Sequence, residues 1–250
     1  MTQDSTSSRV ALVSGVSRAE GIGFEVCRQL ADWDITVFLT SRRLESAERL
    51  AAQLTAEDPN RDVRAAVLDV SDVDTVTKLA VHIEQTFGKL DILINNAAGI
   101  APYGEKAASA ALGVAQEVMG VTLFGAWRMC QVFLPLLRKS PGGRIVNVSS
   151  GAGSHADPVF GLTTDNSMGT SYAVAKAALN ALTVKLAREE TDSGVLINAV
   201  CPGFTATFPG AEAMGARPVA EGASGIVWAA LLSEGGPSGG FFRDGKLLPW

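Results

Sequence analysis

Short apolar blocks alternate along the chain with longer segments in which apolar residues recur at helical spacing. The blocks are rich in Ala, Val and Leu, which is typical of strands buried on both faces of a parallel sheet. Because strands that alternate with helices form βαβ units, this order predicts one doubly wound α/β domain with a mainly parallel sheet of about seven strands. The predicted strands are Val10–Ser14, Thr36–Thr40, Val63–Leu68, Asp91–Asn95, Arg144–Val148, Val195–Val200 and Gly240–Arg243.

The segments between these strands carry helical periodicity and end near glycine or proline. Since no Pro/Gly-rich linker divides the chain, residues 9–250 are predicted to form a single domain behind a polar, flexible tail, residues 1–8. In such sheets, ligands bind beyond the carboxyl ends of the strands. The predicted helices are Gly21–Trp33, Leu44–Glu57, Val73–Phe87, Tyr172–Glu190 and Val219–Leu232, with a longer helical stretch that ends near Arg138 before Pro141-Gly142-Gly143.

Composition narrows the class of protein. The 250 residues are 47% hydrophobic and 19% charged, which is typical of a globular chain. The net charge of −5 and the lack of a basic tract argue against a nucleic-acid partner, and no apolar run suggests a membrane span. Cys27, Cys130 and Cys201 lie far apart in apolar stretches, which favours reduced thiols in the cytoplasm. With only His82 and His155 as histidines, no metal-ligand spacing occurs.

The first predicted strand runs into a glycine-rich segment that opens a helix. Glycine lets the backbone turn sharply and approach a phosphate, and a helix N-terminus offers free N–H groups. The spacing differs from the Gly-x-Gly-x-x-Gly fingerprint, and so a tight turn without a ligand stays open as an alternative. The candidate phosphate-binding residues are Gly15, Ser17, Arg18, Gly21, Ile22 and Gly23.

Two arginines follow the second predicted strand, where an NAD-binding chain places an acid for the ribose 2′-hydroxyl. Arg42 and Arg43 occupy this position, and Arg18 of the glycine loop is expected nearby. A guanidinium fork suits a 2′-phosphate, and so the arginines predict NADP(H) as the cofactor. The alternative is that all three are solvated surface residues.

A tyrosine and a lysine lie four residues apart on one predicted helix face. The ammonium of Lys176 would stabilise the phenolate of Tyr172 and lower its pKa from a usual value of about 10. Such a pair is common by chance. However, this one follows a strand that ends in Val148-Ser149-Ser150, which places a hydroxyl at the same edge of the sheet.

Together and in this order, the motifs resemble the classical short-chain dehydrogenase/reductase family, over nearly all of the chain after the tail. The end of the chain, Gly240–Trp250, looks like its carbonyl-reductase-like branch, and so does the segment Phe24–Ala31. The motifs are Gly15…Gly21-Ile22-Gly23, Asp69-Val70, Asn95-Asn96-Ala97-Ala98-Gly99, Ser150, Tyr172…Lys176 and Pro202-Gly203…Thr207.

The resemblance implies a Rossmann-type fold and a role for each motif. Tyr172 would protonate the forming alkoxide, Lys176 would lower its pKa and hold the nicotinamide ribose, and Ser150 would hydrogen-bond the substrate oxygen. Asn95 would brace the central strands. Further cofactor contacts would come from Asp69 and Val70 around the adenine and from Asn96, Ala97, Gly99, Pro202, Gly203 and Thr207.

Two departures from the family pattern concern the cofactor site and the proton path. The glycine loop carries two extra residues, Ala19-Glu20, which predicts a bulge. Thr122 stands where the family has an asparagine that holds a water in a proton relay to the lysine. A threonine hydroxyl both donates and accepts, and so Thr122 is a candidate catalytic residue.

The Ser150-to-Tyr172 segment is longer than in simple members, and it is expected to fold over the pocket as a lid containing His155, Asp157, Phe160, Asp165 and Asn166. The candidate substrate residues are Tyr103, His155, Phe160, Phe204 and Phe208. Their apolar character favours a hydrophobic ketone or aldehyde, or the corresponding alcohol. The alternatives are NADPH-dependent reduction of an activated C=C bond and a non-catalytic NADP(H)-binding regulator. Small residues on the Tyr172 helix could pack against a second subunit or internally.

Overall fold

The computed structural model of the protein describes residues 9–164 and 169–250. The predicted tail and two residues of the predicted lid, Asp165 and Asn166, lie outside the described residues. The described strands form one sheet of eight strands in the order β3-β2-β1-β4-β5-β6-β7-β8. Their bounds are β1 Val10–Val13, β2 Thr36–Ser41, β3 Val63–Val67, β4 Ile92–Asn95, β5 Arg144–Val148, β6 Leu196–Val200, β7 Phe241–Arg243 and β8 Lys246–Leu247.

The sheet is parallel from β3 to β7, as the alternation of strands and helices predicted. The prediction of about seven strands missed β8, which pairs antiparallel with β7. Asp244 and Gly245 join these two strands with φ of 53° and 70°. Two consecutive positive φ values are typical of the tight Asp-Gly hairpin turn. Strand β8 was not predicted because two residues after such a turn are too few to show apolar periodicity.

Helices cover both faces of the sheet because alternate residues of each strand point to opposite sides. In β1, Val10 and Leu12 join one apolar core, whereas Ala11 and Val13 join the other. The helices are α1 Ile22–Ala31, α2 Leu44–Glu57, α3 Val73–Phe87, α4 Leu112–Met119, α5 Ala126–Leu137, α6 Thr170–Glu189 and α7 Val219–Ala230. The first core contains residues of α3, α5 and α6, and the second contains residues of α1, α2 and α7.

The predicted long helix is divided in the structure. A single turn of 3₁₀ helix at Ala107–Ser109 precedes α4, and a π-helical segment, Gly120–Gly125, joins α4 to α5. By length and apolar composition alone, the continuous helical stretch Leu112–Leu137 could cross a membrane, but 56% of its most apolar window is buried within the domain. Single π-turns inside α-helices are frequent at functional sites.

The order of strands reverses beside β1, which has β2 on one side and β4 on the other. The Ser14 hydroxyl ties the ends of β1 and β4 together: it donates to the Ile94 carbonyl (3.2 Å) and accepts from the amides of Asn96 (3.1 Å) and Ala97 (3.2 Å). In open α/β sheets, a ligand crevice forms at this reversal, beyond the carboxyl ends of the strands.

Candidate active site

The glycine loop after β1 packs directly against the loop after β4. Gly15 has a φ of +72°, and a Cβ there would lie 2.6 Å from the Ala97 Cα. A Cβ on Gly23 would lie 2.6 Å from the Asn96 Nδ2, which itself donates to the Ser14 carbonyl at 2.9 Å. Glycine is therefore required at both positions by backbone conformation or by close approach.

The two extra residues of this loop do not disturb it. The Gly21 amide donates to the Arg18 carbonyl at 3.2 Å and closes a turn over Ala19 and Glu20. Helix α1 then begins at Ile22 with Gly21 as its N-cap. The predicted bulge is thus a compact turn, and the helix N-terminus keeps its place after the loop.

A cavity of about 430 Å³ opens at the carboxyl ends of the strands, between the glycine loop, the loop after β4 and helix α4. This volume is in the range of small-molecule sites in proteins. Seven of the predicted cofactor residues line it: Gly15, Ser17, Arg42, Asp69, Val70, Ala97 and Gly99. Helix α4 adds Val114, Glu117 and Val118, which the motifs did not indicate.

The two arginines after β2 have different surroundings. Arg42 lines the cavity. Arg43 caps the start of α2 in an exposed position, and its Nη2 pairs with the Glu45 carboxylate at 3.1 Å. Arg43 is not among the residues that line the cavity, because it pairs with a nearer acid on α2, and its contact with the cofactor stays a prediction. The side chain of Arg18 lies over Gly21 at the rim of the glycine loop.

The predicted adenine-side pair is held in place by its neighbours. The Asp69 carboxylate accepts from the Ser71 amide at 2.9 Å, and the Thr75 hydroxyl donates to the Asp69 carbonyl at 3.0 Å. The Val70 carbonyl accepts from the Arg128 Nη1 of α5 at 2.5 Å. Arg128 was not indicated by sequence because its partner lies 58 positions away along the chain.

Asn95 braces the central strands, as the resemblance implied. Its Nδ2 donates to the Asn147 Oδ1 of β5 at 2.8 Å, and the Asn147 Nδ2 donates to the Thr183 Oγ1 of α6, also at 2.8 Å. This chain of buried amides joins β4, β5 and the helix that carries Tyr172. Buried polar side chains that hydrogen-bond across elements favour one register of the elements they connect.

Lys176 and Tyr172 lie on α6 against the end of β5. The buried Lys176 Nζ donates to the Val148 carbonyl at 2.6 Å and lies 5.5 Å from the centre of the Tyr172 ring. A Cβ on Gly153 would lie 2.6 Å from the Lys176 carbonyl carbon, and so the turn after Ser150 packs tightly on the helix. The Ser150 side chain acts on Tyr172 through a hydrogen bond, and so Ser150, Tyr172 and Lys176 lie together.

Burial is the main cause of the pKa shifts of Tyr172 and Lys176. It raises the pKa of Tyr172 to about 12, opposed by the hydrogen-bonding effect of the Ser150 side chain. It also lowers the pKa of Lys176 to about 8. Desolvation penalises the charged forms of both groups, and it outweighs the other influences on their pKa values. That Lys176 lowers the pKa of Tyr172 stays a prediction.

Thr122 occupies the π-helical segment and is fully buried. Its Oγ1 accepts from the Gly99 amide at 2.9 Å, and a Cβ on Gly99 would lie 2.6 Å from the Val118 Cα. The hydroxyl therefore pins the loop after β4, one wall of the cavity, to the long helix. A threonine hydroxyl can donate a hydrogen bond while it accepts one.

Glu105 caps the helix that carries Tyr172, a contact that the sequence did not indicate. Its Oε2 accepts from the Ser171 amide at 2.6 Å, and its carbonyl accepts from the Thr170 hydroxyl at 3.0 Å. Hydrogen bonding from Ser171 lowers the pKa of Glu105. A carboxylate at a helix N-terminus accepts from a free amide and interacts favourably with the positive end of the helix dipole. The cap lies 66 positions from its partner, beyond any local capping pattern.

The loop after β6 carries the remaining predicted cofactor residues, Pro202, Gly203 and Thr207. Gly203 has a φ of +74°, and a Cβ there would lie 3.1 Å from the Arg217 guanidinium. The loop is held by Arg217, whose amide donates to the Phe204 carbonyl at 2.8 Å. None of the three residues lines the 430 Å³ cavity.

Three of the predicted substrate residues form an aromatic row. The ring centres of Phe160 and Phe204 are 6.1 Å apart, and those of Phe204 and Phe208 are 6.4 Å apart. Tyr103 is 93% exposed, and His155 is also exposed. Neither belongs to the row. Within residues 9–164 and 169–250, no three His, Cys, Asp or Glu side chains gather as metal ligands, and the three cysteines are buried and free.

Comparison with known proteins agrees with this geometry. The family model described as short chain dehydrogenase matches residues 9–215. The chain is 36% identical to (+)-neomenthol dehydrogenase of Arabidopsis thaliana, covering 94% of this chain and 95% of that protein. It is 30% identical to carbonyl reductase [NADPH] 1 of Sus scrofa, covering 98% and 96%. It superposes on a short chain dehydrogenase from Shigella flexneri complexed with NADP with a TM-score of 0.80, at 25% identity and 97% and 99% coverage.

Proposed function

Because the chain belongs to the short-chain dehydrogenase/reductase family and is an oxidoreductase with a nicotinamide cofactor, we propose that it reduces a ketone or aldehyde with NADPH, or catalyses the reverse oxidation. The observation that carries the proposal is the convergence of Ser150, Tyr172 and Lys176 at the end of β5. The relatives named carbonyl reductase and neomenthol dehydrogenase support the reaction class.

The residues around the cavity suit a dinucleotide with a 2′-phosphate. Gly15 and Ser17 line it beside the start of α1, and Asp69 and Val70 line it after β3. Arg42 contributes a cation to the same wall, and a guanidinium binds phosphate through charge-assisted hydrogen bonds. The NADP in the Shigella flexneri structure supports the phosphorylated cofactor.

Tyr172 is the proposed proton donor. With a pKa of about 12, its phenol stays protonated near neutral pH and holds a proton for the substrate oxygen. Ser150 is proposed to donate a hydrogen bond to the same oxygen, so that negative charge develops against a fixed donor. The nicotinamide would supply the hydride to the carbonyl carbon. A substrate carbonyl thereby gains one hydride and one proton and becomes an alcohol.

Lys176 is proposed to hold the nicotinamide ribose and to favour the Tyr172 phenolate after proton transfer. Its pKa of about 8 leaves most of the side chain protonated at pH 7, and the Val148 carbonyl fixes the ammonium. Thr122 is proposed to support the return of a proton, either through its own hydroxyl or by holding Gly99 in place.

The aromatic row of Phe160, Phe204 and Phe208 favours an apolar substrate. The proposed compartment is the cytoplasm, supported by the three free, buried cysteines. Packing of α6 against a second subunit stays a prediction; Ala173 and Ala175 are buried within one chain.

The test is to follow NADPH absorbance with a panel of ketones and aldehydes and a panel of enones, and to identify each product. Alcohol products from the ketones would support the proposal. Saturated ketones from the enones would establish C=C reduction instead. Tight NADPH binding without turnover on either panel would indicate a regulator.

A further inference from the structure

The segment that follows Ser150, residues 151–164, is joined to strand β7 by an ion pair whose carboxylate is buried. The Asp157 side chain is fully buried, and its Oδ2 accepts from the Arg243 Nη2 at 2.6 Å. Asp157 appeared in the sequence only as part of a predicted lid, and Arg243 had no predicted role. Their separation of 86 positions explains why no local pattern connects them.

The same carboxylate shapes the turn that presents Phe160. Its Oδ1 accepts from the amides of Val159 and Phe160, each at 2.9 Å. Burial acts to raise the pKa of Asp157, but these two amides and Arg243 outweigh it, and the pKa lies below its usual value. An ionised carboxylate therefore organises the turn, and the Phe160 ring lies 6.1 Å from the Phe204 ring, centre to centre.

The Arg243 guanidinium also lies beside Cys201 and the turn that follows Ser150. The Arg243 Nε and Nη2 lie 3.4 and 3.2 Å from the Cys201 Sγ, which accepts from the Gly151 amide at 3.2 Å. Gly151 is the residue after Ser150, and a Cβ there would lie 2.3 Å from the Asp157 Oδ2 and 2.6 Å from the Arg243 Nη2. The ion pair fills the space beside Gly151, the residue that follows Ser150.

A second contact from the C-terminal segment reinforces the first. The buried Ser154 hydroxyl donates to the Pro249 carbonyl at 2.7 Å and accepts from the Asp157 amide at 3.0 Å. Because β7 is parallel to β6, Arg243 lies at the same edge of the sheet as Cys201. The segment is thus held at Ser154 and at Asp157 by residues that follow β6.

We propose that Asp157 and Arg243 form a positioning pair that sets the substrate side of the site. The pair holds the turn that carries Phe160, and so keeps the Phe160 ring against Phe204. It thereby selects bulky apolar ketones, whose rings would contact the aromatic row, over small ones. The inference rests on the proposed carbonyl reduction for its substrate, but the positioning of the 151–164 segment is independent of the reaction.

The central variant is Asp157→Asn. It keeps an oxygen for the Val159 and Phe160 amides but removes the charge that Arg243 binds. Arg243→Met removes the partner charge, and Arg243→Lys keeps a cation without the fork. The matched control is Glu190→Gln, which breaks another pair of a buried carboxylate and a half-exposed arginine, Arg138, between the C-terminal ends of α5 and α6.

Each variant is assayed for NADPH affinity, for kcat and KM with cyclohexanone and with a bulky bicyclic ketone, and for amide hydrogen exchange. Loss of one charge-assisted contact predicts a rise of about tenfold or more in KM for the bicyclic ketone with Asp157→Asn. The KM for cyclohexanone and the NADPH affinity should change by less than about threefold. Arg243→Met should match Asp157→Asn, with Arg243→Lys intermediate. Exchange should rise at 158–164 and stay unchanged at 15–23.

Equal rises in KM for both ketones, or the same selectivity change in Glu190→Gln, would show a general structural effect and overturn the proposal. So would unchanged exchange at 158–164 in Asp157→Asn. Failure of the proposed function has a different signature, because the unmodified protein would then turn over neither ketone. Exchange would still decide whether the pair positions the segment.

Discussion

Removal of the Thr122 hydroxyl tests how this site works where it departs from the family pattern. Thr122→Val keeps the size and the β-branched shape of the side chain and removes only the acceptor that binds the Gly99 amide at 2.9 Å. The change creates no cavity, and Thr122 has no exposed surface through which water could replace the lost contact. The perturbation is therefore confined to one hydrogen bond in the wall of the cavity.

The magnitude follows from that bond. Leaving a buried amide without its acceptor costs about 1–3 kcal/mol. For a domain of this size, that lowers the Tm by roughly 2–12 °C. Because Gly99 lines the cavity, part of the cost should appear in binding, and we expect NADPH affinity to fall by about fivefold to tenfold. If the hydroxyl acts only through a proton relay, Thr122→Val would slow turnover and leave NADPH affinity unchanged.

The assay combines thermal unfolding, NADPH titration by fluorescence and single-turnover kinetics across pH. Thr183→Val is the matched control, because Thr183 is also a fully buried helical threonine whose hydroxyl accepts from an amide, the Asn147 Nδ2, at 2.8 Å. It should lose similar stability and keep its NADPH affinity. A Thr122→Val protein with normal stability and normal NADPH affinity would refute the role assigned to the Gly99 contact.

The other predictions concern the proposed catalytic pair and the arginines. Tyr172→Phe should lower turnover by about 10²–10⁴-fold with NADPH affinity kept, because the proton donor is lost and the ring stays; near-normal chemistry in single turnovers would contradict the assignment. Arg42→Ala should reduce the preference for NADPH over NADH by about tenfold or more in cofactor titrations, whereas Arg43→Ala should not, because only Arg42 lines the cavity. Lys176 has a pKa of about 8 folded against 10.5 as its usual value. Between these values the unfolded chain binds more protons, and so the stability of the cofactor-free protein should gain at most about 3 kcal/mol from this group as pH rises. Chemical denaturation between pH 8 and 10 should show this gain, and Lys176→Met should remove it; the same slope in the variant would exclude Lys176 as its source.

Much of the fold was predictable because its signals are local. The predicted helices Leu44–Glu57 and Val73–Phe87 coincide with the observed bounds, and β5 was predicted at Arg144–Val148. Apolar periodicity and buried strand composition determine such elements one by one. The π-helical segment at Gly120–Gly125 was not predicted, because its residues continue the helical pattern on both sides.

The sequence by itself determined the fold class, the order of the motifs and the residue types at the site, since each depends on neighbours a few positions apart. Only the tertiary structure decided which contacts those residues make. It paired Arg43 with Glu45 rather than with the cavity, and it gave the Thr122 hydroxyl to Gly99. It also made burial the dominant influence on the pKa of Tyr172. Desolvation and long-range hydrogen bonds depend on which distant segments meet at the edge of the sheet. Local sequence patterns do not show which distant segments will meet.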